Sequence, residues 1–396
     1  MGGGAGCSDE YETLRGFIAA GFEVHYVLPA GGPDPAADPL TARARFTRFA
    51  DPFTSGQWMP APAKRVWWYP RFAWRSTAAA RRVAAAEQPH VVFAYTPYGV
   101  PACLSAAREA GATSVVKLFG VRDLVEDGRP RWLDWYTNAE AMYAMRAPLT
   151  RVVALDDGTR ADLAARREGV PPERFLFWPN GANTEWGDLD PAPSRARVRA
   201  RLGIGEDVGV VLSLSRMVGY KRVDRVLRAV PALLAARGAA PTVVVLAGDG
   251  PERARCESLA TELGVAHAVR FVGAVPHDDV PAWLAASDVF VATSEQTNAG
   301  IPTCEALIVG VPVVAVAEGA TAELIRDGEA GYTTRPDDAS ALAARIAQVL
   351  ATPAGSWRTR TRAVAARVCV SWRDRVGREV ALVRTLAAEV DASRAG

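Results

Sequence analysis

The second half of the chain alternates short apolar runs with segments of helical periodicity. VGVVLSLS at residues 208–215 has the length of a strand, and apolar residues then recur at helical spacing over residues 223–234. Similar apolar runs follow, separated by further helical segments: TVVVLAG, VRFVG, DVFVATS and VPVVAV. Because the runs are continuous rather than alternating, we expect strands buried on both faces, as in a parallel sheet covered by helices.

The first half repeats this scheme less regularly. A helix is predicted over residues 9–20, and apolar runs predict strands in FEVHYVL, HVVFAY, TSVVKLF and TRVVAL. A doubly wound domain opens with a strand, but here GGGAG leads directly into the helix, which Asp9 and Glu12 are placed to cap. We therefore expect an α/β protein of two doubly wound, Rossmann-like domains facing a cleft, with the first strand of the N-terminal domain missing.

Composition narrows the class of protein further. The 396 residues suffice for two domains, and 49% hydrophobic with 23% charged residues is a globular composition. A net charge of +2 gives no field that favours nucleic acid. No apolar run is long enough to span a bilayer, and the N-terminus lacks the pattern of a signal peptide. We expect a cytoplasmic protein.

Cysteine and histidine give no sign of a disulfide framework or a zinc site. The cysteines are scattered without a C-x-x-C pair and are expected to be reduced thiols: Cys7, Cys103, Cys256, Cys304 and Cys369. The histidines do not pair at metal-ligand spacing. A D-x-D sequence, Asp188-Leu189-Asp190, lies within the turn-rich segment 179–204, which we interpret as a linker rather than a metal site.

Several segments, in a fixed order over most of the chain, resemble a known family. They are FWPNGANTEW, LSLSRMVGYKRVDRVLRA, LAGDGPERARCESLATELGV, VRFVGAVPHDDVPAWLAASDVFVATS, TNAGIPTCEALIVGVPVVA and VSWRDRVGREVALVRTLAAE. In this order and spacing they resemble the retaining glycosyltransferases of family four, which have the GT-B fold. The resemblance implies an acceptor-binding domain at 1–188, a nucleotide-sugar-binding domain at 189–368, and a closing helix at 369–396 that crosses back to the first domain.

The same resemblance implies an activity. A sugar would pass from a nucleotide-diphosphate donor, UDP- or GDP-linked, to the hydroxyl of a small-molecule, glycan or lipid acceptor, with retention of anomeric configuration. No metal or other cofactor is implied. Two other functions stay open: a catalytically silent sugar-nucleotide-binding protein, and a GT-B-fold nucleotide-sugar epimerase that acts on the donor alone.

Arg216 and Lys221 follow the strand predicted at 208–215. In an open parallel sheet, ligands bind at the carboxyl ends of the strands. A bidentate guanidinium and a point-charge ammonium suit a diphosphate and the negative charge that grows on it as the sugar leaves. We predict that both residues are catalytic, the alternative being a solvated pair of surface charges.

Glu305 lies just inside a predicted helix, after a Gly-Ile-Pro turn. The resemblance implies that it binds the ribose hydroxyls, from which a carboxylate accepts two hydrogen bonds; the alternative is an acid that complements the helix dipole. Thr297, eight residues earlier, stands where the family has another Glu that contacts the transferred sugar, and Glu295 is displaced by two residues. This departure leaves the donor sugar open and keeps loss of catalysis as an alternative.

Backbone and small-residue contacts complete the predicted donor site. N–H groups of GGGAG would approach the diphosphate, and Gly300 would let the backbone lie close to the ligand. The predicted donor-binding residues are Gly3, Gly4, Ser215, Arg216, Lys221, Gly248, Val275, Thr297, Asn298, Ala299, Gly300, Ile301 and Glu305.

The stretch QWMPAPAKRVWWYPRFAWR at residues 57–75 mixes tryptophans with basic residues. The resemblance places it in the acceptor-binding domain. Aromatic faces stack on sugar rings and also lie at membrane interfaces. Acceptor contact and peripheral contact with the inner face of the membrane are therefore both expected alternatives, beside ordinary packing in the core.

Overall fold

The computed structural model describes residues 8–30, 41–51, 67–121, 125, 128–156, 159–295, 300–317 and 324–396. The chain divides into two compact units. The first unit comprises Met1–Asp156, Arg160–Gly181 and Trp372–Gly396, and the second comprises Asp157–Thr159 and Ala182–Ser371. Both units alternate helices with parallel strands, which confirms the predicted α/β class with two Rossmann-like domains.

The order of helices and strands follows the apolar pattern over most of the described chain. The helices are α1 (Ser8–Ala19), α2 (Tyr69–Glu87), α3 (Val100–Ala110), α4 (Arg131–Arg146), α5 (Ala161–Arg167), α6 (Pro191–Leu202), α7 (Val223–Arg237), α8 (Arg253–Glu262), α9 (Val280–Ala286), α10 (Ile301–Val309), α11 (Ala339–Ala351), α12 (Ala354–Val368) and α13 (Trp372–Ala395). The strands are β1 (His25–Pro29), β2 (Arg45–Phe49), β3 (Val91–Ala94), β4 (Thr113–Leu118), β5 (Arg151–Asp156), β6 (Phe175–Pro179), β7 (Gly181–Ala182), β8 (Gly209–Leu214), β9 (Thr242–Ala247), β10 (Val269–Gly273), β11 (Val289–Ala292), β12 (Val313–Val316), β13 (Gly331–Thr334) and β14 (Val370–Ser371).

A six-stranded parallel sheet organises the second unit, with the strand order β10-β9-β8-β11-β12-β13. Val210 and Leu212 of β8 belong to an apolar cluster on one face, whereas Val211 belongs to the cluster on the other. This is the two-sided burial that the continuous apolar runs predict. The chain proceeds outward from β8 in one direction and from β11 in the other, so the topological switch point lies between these two strands.

The first unit contains a four-stranded parallel sheet, β3-β4-β5-β6, and a separate parallel pair, β1-β2. Leu386 of α13 packs with Val115 and Val153 on one face of the larger sheet, and all three side chains are fully buried. The predicted absence of a first strand stays a prediction, because residues 1–7 lie outside the described residues.

A buried cluster of charges lies between α1, β4 and α13 in the first unit. The expectation that Asp9 caps the first helix is wrong, because Asp9 lies within α1 and its side chain pairs with the buried Lys117 of β4. The same ammonium lies 2.8 Å from Glu379 Oε1 of α13, and Arg375 Nη2 lies 3.0 Å from that oxygen. Burial raises the pKa of Asp9, and the Lys117 charge opposes this shift. Since a buried charge without its partner is strongly destabilising, the cluster fixes α1 and α13 against one sheet.

The turn-rich segment 179–204 is only partly a linker, because its second half forms α6. Asp190 is the N-cap residue of α6, and its Oδ1 accepts a hydrogen bond from the Ala192 N–H at 3.0 Å. Pro191 occupies the first helical position, where its missing N–H is not needed. The D-x-D sequence therefore has a structural role at this helix start.

Candidate functional site

The loop after β8 presents the predicted cations at the carboxyl edge of the second sheet. Arg216 lies between two backbone hydrogen bonds: the Ser215 N–H donates to Ala247 O at 2.9 Å, and the Met217 N–H donates to Asp249 O at 2.8 Å. Lys221 ends a short 3₁₀ turn that follows. The backbone on both sides of Arg216 is therefore fixed to the end of β9 and to the loop that follows it.

Two glycines of that neighbouring loop make this close approach possible. Gly248 and Gly250 have φ values of +135° and +153°, which disfavour side-chain-bearing residues. A Cβ atom would lie 1.8 Å from Ser215 O at Gly248 and 2.4 Å from Met217 O at Gly250. The AGDGP turn thus holds the loop that presents Arg216.

Tyr220 lies between the two cations. Its hydroxyl accepts a hydrogen bond from Arg216 Nη2 at 3.0 Å, and the Lys221 ammonium lies 5.1 Å from its ring centroid. Burial, and to a smaller extent the positive charge of Arg216, lowers the pKa of Lys221. Within the described residues neither cation forms an ion pair with a carboxylate, so no acid compensates the two positive charges. Such a pair suits an anionic ligand.

The loops after β8 and β11, on the two sides of the switch point, are bonded to each other. The Glu295 N–H donates to Tyr220 O at 2.9 Å, and the Thr293 hydroxyl donates to Arg222 O at 2.9 Å. The Glu295 carboxylate also pairs with Arg222. Glu295 thus links the two loops. This is the acid that lies two residues away from the position where the family has its first Glu.

Glu305 lies in α10, which follows β11 and therefore begins at the same edge of the sheet. Gly300 is the N-cap residue of this helix, and Glu305 is only 2% exposed. Its Oε1 accepts a hydrogen bond from Asn183 Nδ2 at 3.0 Å and lies 3.4 Å from His277 Nε2. A buried carboxylate with one hydrogen-bond donor, a neighbouring imidazole and no paired Lys or Arg among the described residues could accept further donors from a ligand.

The structure brings most of the described predicted residues to one edge of the second sheet. They follow four strands: Ser215, Arg216 and Lys221 after β8, Gly248 after β9, Val275 after β10, and Gly300, Ile301 and Glu305 after β11. Gly3, Gly4, Thr297, Asn298 and Ala299 lie outside the described residues. Sequence reasoning missed Tyr220, Asn183 and His277. Tyr220 lies between the two predicted cations in the sequence, and Asn183 and His277 lie in segments that carry the family resemblance.

No group of three or more His, Cys, Asp or Glu side chains in the described parts of the chain is arranged to hold a metal ion. The described cysteines are unpaired: Cys103, Cys256, Cys304 and Cys369. None of the described helices combines the length and apolar character needed to cross a bilayer.

The second unit belongs to the class of doubly wound α/β folds, in which ligands bind at the topological switch point of the sheet. Two family models match the chain: Glycosyltransferase Family 4 over residues 11–186, and Glycosyl transferases group 1 over residues 194–366. Together these matches span most of both units, and the chain belongs to this family of glycosyltransferases.

Curated relatives match mainly over part of their length. A GDP-mannose-dependent alpha-(1-6)-phosphatidylinositol monomannoside mannosyltransferase of Mycolicibacterium smegmatis is 34% identical over 190 residues, which are 46% of this chain and 49% of the relative. A D-inositol 3-phosphate glycosyltransferase of Streptomyces griseus is 32% identical over 212 residues, 51% of this chain and 44% of the relative. The matched region thus spans about half the length of each relative.

Solved structures match over nearly the whole chain. A glycosyltransferase from Rickettsia africae has a TM-score of 0.74 at 15% identity, covering 96% of this chain and 94% of the other. HepE of Anabaena, solved in complex with UDP and glucose, has a TM-score of 0.68 at 18% identity, covering 98% and 97%. At these identities the similarity shows the fold, which is GT-B.

Proposed function

We propose that the protein transfers a sugar from a nucleotide-diphosphate sugar to an acceptor hydroxyl with retention of anomeric configuration. The observation that supports this best is the pair Arg216 and Lys221, two cations without a paired carboxylate among the described residues, at the switch point of the second sheet. They would hold the diphosphate and stabilise the charge that develops on it as the glycosidic bond breaks. Glu305 would bind the ribose hydroxyls.

The family resemblance supplies the remaining chemistry of the proposal. A donor phosphate oxygen would take the proton from the acceptor hydroxyl, which then attacks on the face that the diphosphate leaves. No protein nucleophile is needed for this step. One relative is named for GDP-mannose and one structural neighbour was solved with UDP-glucose, so a UDP- or GDP-linked donor is proposed here. Relatives named for phosphatidylinositol mannoside, inositol phosphate and lipopolysaccharide core keep small-molecule, glycan and lipid acceptors in the proposal.

The experiment is a panel of UDP- and GDP-sugars, first screened by thermal shift and then incubated with polyol, glycan and lipid acceptors. A donor at a hundredfold its Kd adds about 2.7 kcal/mol of stability. We expect one donor to stabilise the protein and to give a product whose anomeric configuration, read by NMR, equals that of the donor. Binding without transfer or hydrolysis would support the silent binding protein instead, and conversion of the donor sugar without acceptor would support the epimerase.

Thr297 gives a separate prediction about the donor sugar. A hydroxyl can hydrogen-bond a sugar hydroxyl without adding charge, where the family has a carboxylate. Thr297→Ala is expected to change the ranking of donors in kcat/KM by about tenfold, with nucleoside diphosphate binding unchanged. Thr303→Ala, a threonine buried in α10, is the matched control for loss of a hydroxyl in the same region. An unaltered donor ranking in Thr297→Ala would remove this residue from the site.

A second proposal concerns the tryptophan-rich stretch at residues 57–75 and the membrane surface that it would contact. Within the described residues, the exposed large hydrophobic side chains other than Leu189 are all aromatic and all lie in the first unit: Trp67, Trp74, Trp132, Tyr136 and Tyr143. Trp67 and Trp74 are 61% and 71% exposed, whereas Trp68 packs on Phe72 and Tyr98 at ring-centroid distances of 4.8 and 5.3 Å. Ordinary packing therefore accounts for Trp68 but leaves the other two tryptophans exposed.

Trp74 lies in α2 and Trp67 lies just before its start, whereas Trp132, Tyr136 and Tyr143 lie in α4. Burial is the largest cause of the raised pKa of Tyr69 of α2, which is about 12. The neighbouring Tyr143 and Glu140 of α4 raise this pKa further by smaller amounts. The α2 sequence has four arginines and a single acid, Glu87 at its end. The Arg71 guanidinium lies 4.6 Å from the Trp67 ring centroid. Exposed tryptophans with arginines on a basic helix are typical of a surface that binds anionic lipid.

We propose that the exposed Trp67 and Trp74 and the arginines of α2 contact the anionic inner leaflet of the membrane. This contact would place the protein in the cytoplasm beside a lipid-linked acceptor. Trp67→Ala with Trp74→Ala is expected to weaken sedimentation with phosphatidylglycerol-containing vesicles at least tenfold, and neutral phosphatidylcholine vesicles to bind less well. Leu189→Ala, an exposed apolar side chain of the second unit, is the control. Unchanged sedimentation of the double variant would contradict the proposal. If the natural protein does not bind the vesicles and the double variant has a raised KM for the acceptor, these tryptophans contact the acceptor instead.

A further inference from the structure

Glu305 is held by side chains from two segments far away in the sequence. Asn183 follows β7 and lies 122 positions before Glu305, and His277 lies in the turn after β10. Both contacts fall on the same carboxylate oxygen, Oε1, at 3.0 Å from Asn183 Nδ2 and 3.4 Å from His277 Nε2. An ionised carboxylate only accepts hydrogen bonds, so Asn183 must present its NH₂ group, and the contact with His277 is attractive when its Nε2 carries a proton.

The two contacting side chains are themselves fixed in different ways. Asn183 is 9% exposed, and it immediately precedes the short helical turn Thr184–Asp188. The His277 ring lies 5.2 Å from the ring of Trp186, a residue of that turn, and Trp186 packs on the apolar core of the second unit. The turn therefore brings both the Asn183 amide and the support for His277 beside Glu305 of α10.

We propose that Asn183 and His277 are positioning residues that fix the Glu305 carboxylate through Oε1 and so direct Oε2 toward the ribose of the donor. This proposal rests on the proposed function, in which Glu305 binds the ribose. A buried carboxylate that is held by polar contacts on one oxygen keeps a single orientation, and preorganised acceptors bind hydroxyls more tightly than freely rotating ones. Asn183, the second asparagine of the PNGAN segment, thus has a role in donor recognition under this proposal.

Ribose recognition gives a direct readout of this arrangement. The probes are UDP and GDP together with their 2′-deoxy and 3′-deoxy counterparts, and the measured quantity is the ratio of Kd values between deoxy and ribo forms. The natural protein is expected to prefer the ribo form by about tenfold to a hundredfold, the usual effect of a hydrogen bond to a charged group. Glu305→Ala should reduce that ratio to about one.

Asn183→Ala should reduce the ratio at least threefold while leaving the Kd of the deoxy form unchanged, because the phosphate contacts remain. His277→Ala should have the same direction of effect, and His277→Gln, which keeps an N–H donor, should restore part of it. Asn180→Ala and His267→Ala are the matched controls. Asn180 accepts from the Gly181 N–H at 2.9 Å instead, and His267 is exposed in another turn.

The outcomes separate this proposal from the one on which it rests. If Glu305→Ala keeps the natural ratio, the ribose role of Glu305 is wrong. If Glu305→Ala loses the ratio but Asn183→Ala and His277→Ala keep it, the positioning role is wrong and the proposed function stands. Should Asn183→Ala fail to fold, the half-exposed His277 carries the same decision, because its substitution leaves little buried space.

Discussion

Replacing Lys221 with alanine is expected to lower kcat/KM for sugar transfer by about a hundredfold to a thousandfold, the usual loss when one charged donor to a transition state is removed. Arg216→Ala should have an effect of similar size. The two cations have no carboxylate partner among the described residues, so a diphosphate would be their first strong anionic contact. The measurement is steady-state transfer together with the Kd of UDP or GDP for each variant.

Two controls make this result specific. Arg228→Ala removes a cation from α7 that is 54% exposed and lies 3.7 Å from Asp224, and its activity should equal that of the natural protein. Lys221→Arg keeps the charge but changes the donor geometry, so partial activity is expected. Natural affinity and rate in both Lys221→Ala and Arg216→Ala would show that the diphosphate binds elsewhere.

The lowered pKa of Lys221 adds a dependence on pH. Burial and the Arg216 charge favour the neutral amine in the free protein, whereas a bound diphosphate favours the ammonium. Affinity for the diphosphate should therefore fall as the pH rises through the free-protein pKa of Lys221, which lies below its usual value. This fall should disappear in Lys221→Arg, since arginine stays charged throughout that range.

Glu305→Ala is expected to lower donor kcat/KM by about tenfold to a hundredfold, mainly through KM, because its contact with the ribose exists in both the ground state and the transition state. The variant also leaves the Asn183 amide without its carboxylate partner, so the free energy of unfolding should fall by about 1–3 kcal/mol. Donor kinetics and thermal unfolding are measured on the same samples to separate the two effects.

Glu329→Gln is the matched control, because this half-exposed acid of the second unit pairs with Arg367 on the surface. It should change neither KM nor stability by a measurable amount. Glu305→Gln keeps one acceptor oxygen and should fall between the natural protein and Glu305→Ala. A donor KM that does not respond to Glu305→Ala, in a protein that remains folded, would leave Glu305 a structural acid of α10.

Strands buried on both faces could be predicted from the sequence almost residue by residue. The apolar run at 208–215 corresponds to β8, and the run at 242–248 corresponds to β9. β2 has the sequence RFTRF and belongs to a two-stranded sheet, so it has no continuous apolar run to reveal it. The aromatic and basic stretch around residue 69 likewise predicted no helix, although α2 begins there.

The site residues likewise fall into two groups: those that the local sequence predicts and those whose contacts join distant segments. Arg216 and Lys221 could be predicted because the end of a buried parallel strand marks the ligand edge of a sheet. The contact between Asn183 and Glu305 joins residues 122 positions apart, and no periodicity or spacing encodes it. Asp9 shows that local sequence can also mislead. Its position near the helix start predicts a cap, but its side chain pairs with the buried Lys117 of β4.

A crystal structure with the sugar nucleotide that gives the largest thermal shift tests the central claim most directly. The diphosphate is expected within hydrogen-bond distance of Arg216 and Lys221, and the ribose hydroxyls are expected on Glu305 Oε2. A donor bound away from the loops after β8 and β11, with no contact to those three side chains, would contradict this expectation.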